Sequence, residues 1–304
     1  MIALLAPGQS SQTEGMLSPW LELPGAADQI ATWSKASGLD LARLGTTAST
    51  EEITNTALAQ PLIVATTLLA YQEVAKRTSF ENSPEALIMA GHSVGEIAGY
   101  SIAGVIAADD AVALAATRGA EMAKACAIEP TGMSAVLGGD EADVLNRLDE
   151  FGLVPANRNA ADQIVAAGRL TALEKLAEDP PARARVRTLG VAGAFHTEFM
   201  AAALDGFAEA AAAITIAEPI ATLLSNRDGK PVASAAAGME TLISQLTHPV
   251  RWDLCNATLR EHNVTAIVEL PPAGTLTGIA KRELRGVTTC AVKSPTDLDK
   301  LANL

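Results

Sequence analysis

Aromatic residues are scarce in this chain of 304 residues: Phe, Trp and Tyr together make up 3% of it. Platforms on which nucleic-acid bases stack are therefore not expected. Basic residues are also in deficit, with 22 Lys and Arg against 35 Asp and Glu, a formal net charge of −13. Replacing counterions along a phosphate backbone needs a basic stripe, so general nucleic-acid binding is excluded. An anionic membrane surface is an equally poor partner. Cysteines are few, widely spaced and odd in number: Cys126, Cys255 and Cys290. Without a C-x-x-C pair they suggest neither a disulfide framework nor a zinc site, and reduced thiols are expected. No apolar run approaches a membrane span. The start, Met1 to Gln12, has no basic region ahead of its short apolar run and does not read as a signal peptide. A soluble, cytoplasmic protein is expected.

What is present is an alanine-rich chain with 49% apolar residues, long enough for about two domains. Short apolar runs at Ile2 to Leu5 and Ala86 to Ala90, each closed by Gly or Pro-Gly, read as buried strands. Asn55 to Lys76 has helical periodicity, with Pro61 near an early turn, and Asp109 is placed to cap a long helix reaching Cys126. The middle third changes rhythm. Strands are expected at Met133 to Leu137, Leu153 to Asn157, Gln163 to Ala167 and Val186 to Ala192, with helices at Glu141 to Phe151 and Thr171 to Glu178. That order is βαββαβ, the ferredoxin-like unit. It is expected as an inserted subdomain over 126–194, with 1–125 and 195–304 forming the core. Beyond it, a helix over Glu198 to Ala213, strands at Ala221 to Leu224 and Ala266 to Leu270, and a helix at Met239 to Leu246 restore the alternating rhythm. Such alternation implies a mostly parallel sheet with helices on both faces.

Gly91-His92-Ser93-Val94-Gly95 is a G-x-S-x-G between an expected strand and an expected helix. That context is the one a nucleophile elbow needs, with Ser93 held at a helix N-terminus. The bland alternative is a capping box, because Ser93 and Glu96 have the S-x-x-E spacing. A serine nucleophile needs a base. Of His92, His196, His248 and His262, the candidate is His196, where a strand meets a helix at Gly193-Ala194-Phe195-His196. His92 is expected to face away from Ser93, and His262 to be solvated. No pair at i, i+4 suggests a metal. No acid between Ser93 and His196 lies in a motif-like setting, so a dyad oriented by a neutral group is expected. Arg118 has Leu114 and Met122 as its i−4 and i+4 neighbours. It is either a snorkelling surface residue or a buried carboxylate clamp. The turn Pro7 to Gln12 follows the first strand, at the sheet edge where α/β proteins bind ligands. There is no G-x-G-x-x-G and no Walker A sequence.

Taken together, these motifs resemble the bacterial malonyl-CoA:acyl carrier protein transacylases of the actinobacterial fatty-acid synthesis type. The resemblance spans essentially the whole chain. It is carried by Pro7-Gly8-Gln9, Gln60-Pro61, Gly91 to Glu96, Arg118, Asn157, Asn159, Gln163, Gly168, Gly193 to His196, Ser225-Asn226, Gln245 and Pro249 to Trp252. It implies an α/β-hydrolase-like core with a ferredoxin-like insert, and an acyltransferase working by ping-pong through a malonyl ester on Ser93. His196 becomes the base, the Gln9 and Val94 amides the oxyanion hole, and Arg118 the clamp for the malonyl carboxylate. Gln60 is implied at the substrate, and Gln245 at the carbonyl that orients the histidine. No metal and no resident cofactor are implied; the substrates are malonyl-CoA and holo acyl carrier protein. A monomer is expected, serving fatty-acid, mycolic or polyketide synthesis. Acidic carrier protein would dock on a local basic patch, either Arg183, Arg185 and Arg187 or Lys281, Arg282 and Arg285. A serine hydrolase and an inactive carrier-binding module are the rival readings. The chain departs from the family at Ser10, which replaces a glycine, and at Pro271 to Gly274. If the turn needs φ > 0, Ser10 costs on the order of 1 kcal/mol.

Overall fold

The computed structural model describes residues 1–78 and 86–303. Five strands form a parallel sheet in the order β7-β2-β1-β8-β9. They are β1 (Ile2–Ala6), β2 (Leu87–Gly91), β7 (Thr222–Leu224), β8 (Ala266–Glu269) and β9 (Thr288–Ala291). β1 sits centrally, with Ile2 opposite Leu87 on one side and Ala266 on the other. A parallel sheet covered on both faces needs near-continuous apolar strands. β2 accordingly buries all of Leu87, Ile88, Met89, Ala90 and Gly91. Alternate side chains feed two different cores: Leu4 and Met89 pack on one face, Leu5 and Ile88 on the other. The charged exception is Glu269, fully buried at the end of β8. Its carboxylate accepts from the backbone N–H groups of Leu276 (3.0 Å) and Thr277 (2.8 Å), which anchors the helix Thr275–Glu283 to the sheet.

Four more strands form a separate antiparallel sheet in the order β4-β5-β3-β6. They are β3 (Thr131–Gly138), β4 (Val154–Ala160), β5 (Gln163–Arg169) and β6 (Ala184–Thr188). With the helices Glu141–Glu150 and Leu170–Glu178 between them, the chain order is βαββαβ. One face of this sheet has its own apolar core, with Val136 and Ile164 packed against Val144, Leu148, Leu173 and Leu176. The other face presents Met133, Val165 and Ala167 toward the main core. The antiparallel sheet is tied to the core through the segment just ahead of the helix Trp252–Glu261. Val250 N–H donates to the Ala156 carbonyl (2.8 Å), and Arg158 N–H to the Val250 carbonyl (2.9 Å).

Some boundaries differ from the sequence reading. Asp109 does not cap its helix. The helix runs Ala108–Cys126 with Ala107 as the extended N-cap, and the Asp109 carboxylate accepts from Trp33 Nε1 at 2.8 Å. The segment read as one helix from Glu198 is a 3₁₀ turn, Glu198–Ala203, followed by an α-helix, Leu204–Ala212. β6 ends at Thr188 instead of running to Ala192, because the chain must leave the sheet edge to bring His196 to the site. Among the described residues no helix is long and apolar enough to cross a membrane.

Candidate active site

β2 enters a tight turn and the helix Gly95–Ile102 leaves it. Ser93, at the apex, has φ 54°, a left-handed conformation that a non-glycine residue adopts only under constraint. Only glycine fits on either side. A Cβ on Gly91 would lie 2.0 Å from the Gly95 carbonyl carbon, and one on Gly95 would lie 2.3 Å from the Ala6 oxygen. Asn226 clamps the turn from the end of β7. Its Oδ1 accepts from Ser93 N–H at 2.8 Å, and its Nδ2 donates to the Gly91 carbonyl at 2.7 Å.

The Ser93 hydroxyl does not cap the helix. It lies 2.8 Å from His196 Nε2, and Glu96 turns away to other partners. His196, also left-handed with φ 60°, is buried. Its Nδ1–H donates to the backbone carbonyl of Gln245 at 2.8 Å. That bond leaves Nε2 as the acceptor for the serine proton. The neutral orienting group is thus a main-chain carbonyl. Burial, and then the nearby Arg118 charge, push His196 down to about 3, so it stays neutral where an ordinary histidine would be charged.

Arg118 lies on the buried stripe of the helix Ala108–Cys126 and is 1% exposed, which rules out the snorkelling alternative. Nη1 donates to Gln60 Oε1 and Nη2 to Gln245 Oε1, both at 2.8 Å; Nη2 is also 3.5 Å from Ser93 Oγ. Gln60, like Arg118 itself, is not among the residues lining the cavity. It donates to Gln9 Oε1 (3.3 Å), and Gln9 Nε2 in turn donates to Thr56 Oγ1 (3.2 Å). The Gln9 and Val94 backbone N–H groups make no hydrogen bond to another protein group among the described residues. Free donors beside the nucleophile are what an oxyanion needs. His92 Nε2 engages Asn159 Oδ1 at 2.9 Å, and its ring tilts on Trp252, so it does not face the nucleophile. His248 and His262 are exposed.

Ser93 and His196 open onto a cavity of about 190 Å³ between the two sheets. Its wall mixes apolar residues, among them Met133, Val165, Leu189, Val191 and Phe195, with polar ones that include Gln9, Ser10, Ser11, Asn157, Asn159, Gln163 and Thr275. Two residues went unremarked as functional in the sequence. Asn226 holds the turn, and Glu96 accepts from Asn226 N–H (2.6 Å) and from Gln245 Nε2. The signal for Glu96 was its place in the motif, read only as a possible cap. Among the described residues no cluster of His, Cys, Asp and Glu could hold a metal ion.

A family model described as the acyl transferase domain matches residues 4–297. The chain belongs to the acyl transferase family. This acyltransferase is 82% identical, over the full length of both chains, to the malonyl CoA-acyl carrier protein transacylase of Mycobacterium tuberculosis (strain ATCC 25618 / H37Rv). The crystal structure of MCAT from Mycobacterium tuberculosis superposes with TM-score 0.97 over all of both chains, at 82% identity. A malonyl-transacylase in complex with its type II PKS acyl-carrier protein superposes with TM-score 0.91 at 29% identity. That match covers 100% of this chain and 99% of the other. An α/β core with a parallel sheet and a separate antiparallel one is the arrangement of these transacylase structures.

Two predictions follow from the site. A histidine with a depressed pKa stays a competent base at low pH, so fluorophosphonate labelling of Ser93 should hold its rate from about pH 8 to about pH 5. A fall centred on the ordinary histidine range would show that His196 is not shifted. Ser10 does adopt φ 79°, so Ser10→Gly should raise unfolding stability by about 1 kcal/mol in urea titrations. Lower or unchanged stability would show that the turn is unstrained.

Proposed function

We propose that the acyltransferase moves a malonyl group from malonyl-CoA to the phosphopantetheine thiol of an acyl carrier protein, through a malonyl ester on Ser93. The observation that carries the reading is a buried guanidinium, 3.5 Å from the nucleophile oxygen, whose terminal nitrogens meet only amide oxygens of the protein. A buried charge of this kind calls for an anion, and the carboxylate of a malonyl ester on Oγ is within its reach. The names of the relatives agree with this reading.

His196 Nε2 takes the Ser93 proton as Oγ attacks the thioester carbon. The carbonyl oxygen becomes an oxyanion beneath the Gln9 and Val94 N–H groups, each worth about 3–4 kcal/mol in the transition state. Collapse breaks the C–S bond, and the imidazolium returns its proton to the departing CoA sulfur. In the second half His196 deprotonates the carrier thiol. The sulfur attacks the Ser93 ester, and the serine oxygen leaves with the proton from His196. Arg118 holds the carboxylate by charge-assisted hydrogen bonds.

Mixed with malonyl-CoA, the protein should gain a malonyl mass on Ser93 that disappears when holo carrier protein is added. Loss of the adduct to water before addition would make it a hydrolase, and absence of any adduct would favour a binding module. Arg118→Ala should lower malonyl transfer by up to about 10⁴-fold and acetyl transfer far less; equal losses would remove Arg118 from the specificity role.

We take 126–194 as the unit that closes the cavity over the core of 1–125 and 195–304. Its support is the separate apolar core of the antiparallel sheet. Carrier docking is assigned to one or the other of two basic patches. Arg183, Arg185 and Arg187 are exposed on and beside the edge strand β6, just ahead of the wall residues Leu189 and Val191. Lys281, Arg282 and Arg285 lie on and after the helix whose Leu276 and Ile279 line the wall, and Arg282 Nη2 donates to the wall residue Gln163 at 2.5 Å. Charge reversal within the docking patch should raise the KM for carrier protein and leave that for malonyl-CoA unchanged. An unaltered carrier KM for both sets would reject these patches.

A further inference from the structure

Arg118 is buried, and no carboxylate is within ion-pair distance of it among the described residues. One stands a single amide away. Gln245 Oε1 accepts from Arg118 Nη2 at 2.8 Å, while Gln245 Nε2 donates to Glu96 Oε2. The other Glu96 oxygen accepts from Asn226 N–H at 2.6 Å. Both oxygens thus accept, which is the hydrogen bonding that suits the ionised form. Glu96 is itself 1% exposed, and Arg118 is the positive charge that acts on it. Tyr100, on the same helix, and Cys255, on the helix Trp252–Glu261, also feel Glu96. Both are kept neutral, because burial pushes the phenol and the thiol up.

The spacing has a chemical reason. A carboxylate bonded directly to Nη2 would occupy the place a substrate carboxylate must take, and with no counter-ion at all a buried guanidinium is heavily penalised. A primary amide between the two charges transmits the attraction without filling the site. It also fixes which way the amide faces: Glu96 holds Gln245 Nε2, so Oε1 is presented to the guanidinium. We propose that Glu96 is the counter-ion of Arg118, acting through the Gln245 amide, and that the spacer keeps the guanidinium charged yet open to the carboxylate of the incoming acyl group. The inference rests on the reading of Arg118 as that carboxylate's clamp. Glu96 is then a positioning residue, and a bound substrate carboxylate competes with it for one positive charge. Burial raises Glu96 to about 8, against the pull of the Asn226 amide, Arg118 and Gln245. Its ionised share therefore rises with pH, and the competition strengthens from pH 6 to pH 9.

The test is calorimetric titration of full-length Ser93→Ala protein, which cannot be acylated, with malonyl-CoA and with acetyl-CoA. Adding Glu96→Gln should tighten malonyl-CoA by at least about threefold at pH 9 and leave it within about twofold at pH 6. Acetyl-CoA should stay within about twofold at both. If malonyl-CoA outbinds acetyl-CoA in both proteins but Glu96→Gln does not tighten it at pH 9, the counter-ion role is overturned and the clamp stands. If malonyl-CoA is not preferred in either protein, the clamp fails and the inference with it. Stability provides the second measurement. At pH 9 the double variant Glu96→Gln/Arg118→Met should be less destabilised than the sum of its single variants, and should fold even where Glu96→Gln alone does not. Additive losses would overturn the pairing.

Discussion

A guanidinium buried at the centre of the molecule is the constraint around which the rest of the site is arranged. Removing such a charge from water costs several kcal/mol unless the protein supplies acceptors. Here the acceptors are the side-chain oxygens of Gln60 and Gln245, which come from distant parts of the chain. Each does a second task. Gln60 reaches on to Gln9, whose backbone amide borders the nucleophile, and Gln245 supplies through its main chain the carbonyl that orients His196. The positive charge also lowers the affinity of His196 for a proton. On the proposed function, acid–base readiness, histidine orientation and carboxylate selectivity are coupled through one side chain, and a change at either glutamine reaches more than one of them.

The second constraint is the turn after β2. Three positions around the reacting atoms, Ser10, Ser93 and His196, are non-glycine residues at positive φ. Such conformations cost about 1–3 kcal/mol each and persist only where surrounding contacts over-determine them. Asn226 provides that for Ser93, with hydrogen bonds to the backbone on both sides of the turn. For His196 it is the pair of ring hydrogen bonds together with Thr197, whose hydroxyl donates to the Ala194 carbonyl at 2.6 Å. The parallel sheet is the rigid base from which these strained residues project, and its central strands β1 and β2 are apolar and almost wholly buried.

Much of this was legible in the sequence, and the illegible part has a physical cause. Ser93 was readable because strand, glycines and helix must all be present to make the turn, and His196 because few histidines compete with it. The βαββαβ order was visible because its turns are polar and its helices amphipathic. The helix Ala26–Ser37 was missed although it buries Ala26, Ile30 and Trp33 at helical spacing, since alanines on its other faces blur the contrast. The helix Trp252–Glu261 is a similar case, with Trp252, Cys255 and Leu259 inward. Asp109 looks like a cap in one dimension, but its partner Trp33 is 76 residues away. Glu96 is the strongest instance. Locally it completes a capping box, and only its bond to Gln245, 149 residues distant, gives it a different meaning.

On the proposed mechanism, the second sheet encloses the ester that Ser93 carries. The core alone would leave Ser93 at the open edge of a sheet, exposed to water as readily as to a thiol. The antiparallel sheet turns one face to its own helices and the other, with Met133 and Val165, to the nucleophile. Its position is set by the strand pairing at Ala156, Arg158 and Val250, and by the contact of Asn159 with His92, the residue next to Ser93. The wall that limits water is thus registered directly on the elbow, so nucleophile and wall keep one geometry. A thiol on a long flexible arm can enter such a cavity end-on. On that reading water is limited by the enclosure and by the apolar share of the wall, Met133, Val165, Leu189, Val191 and Phe195.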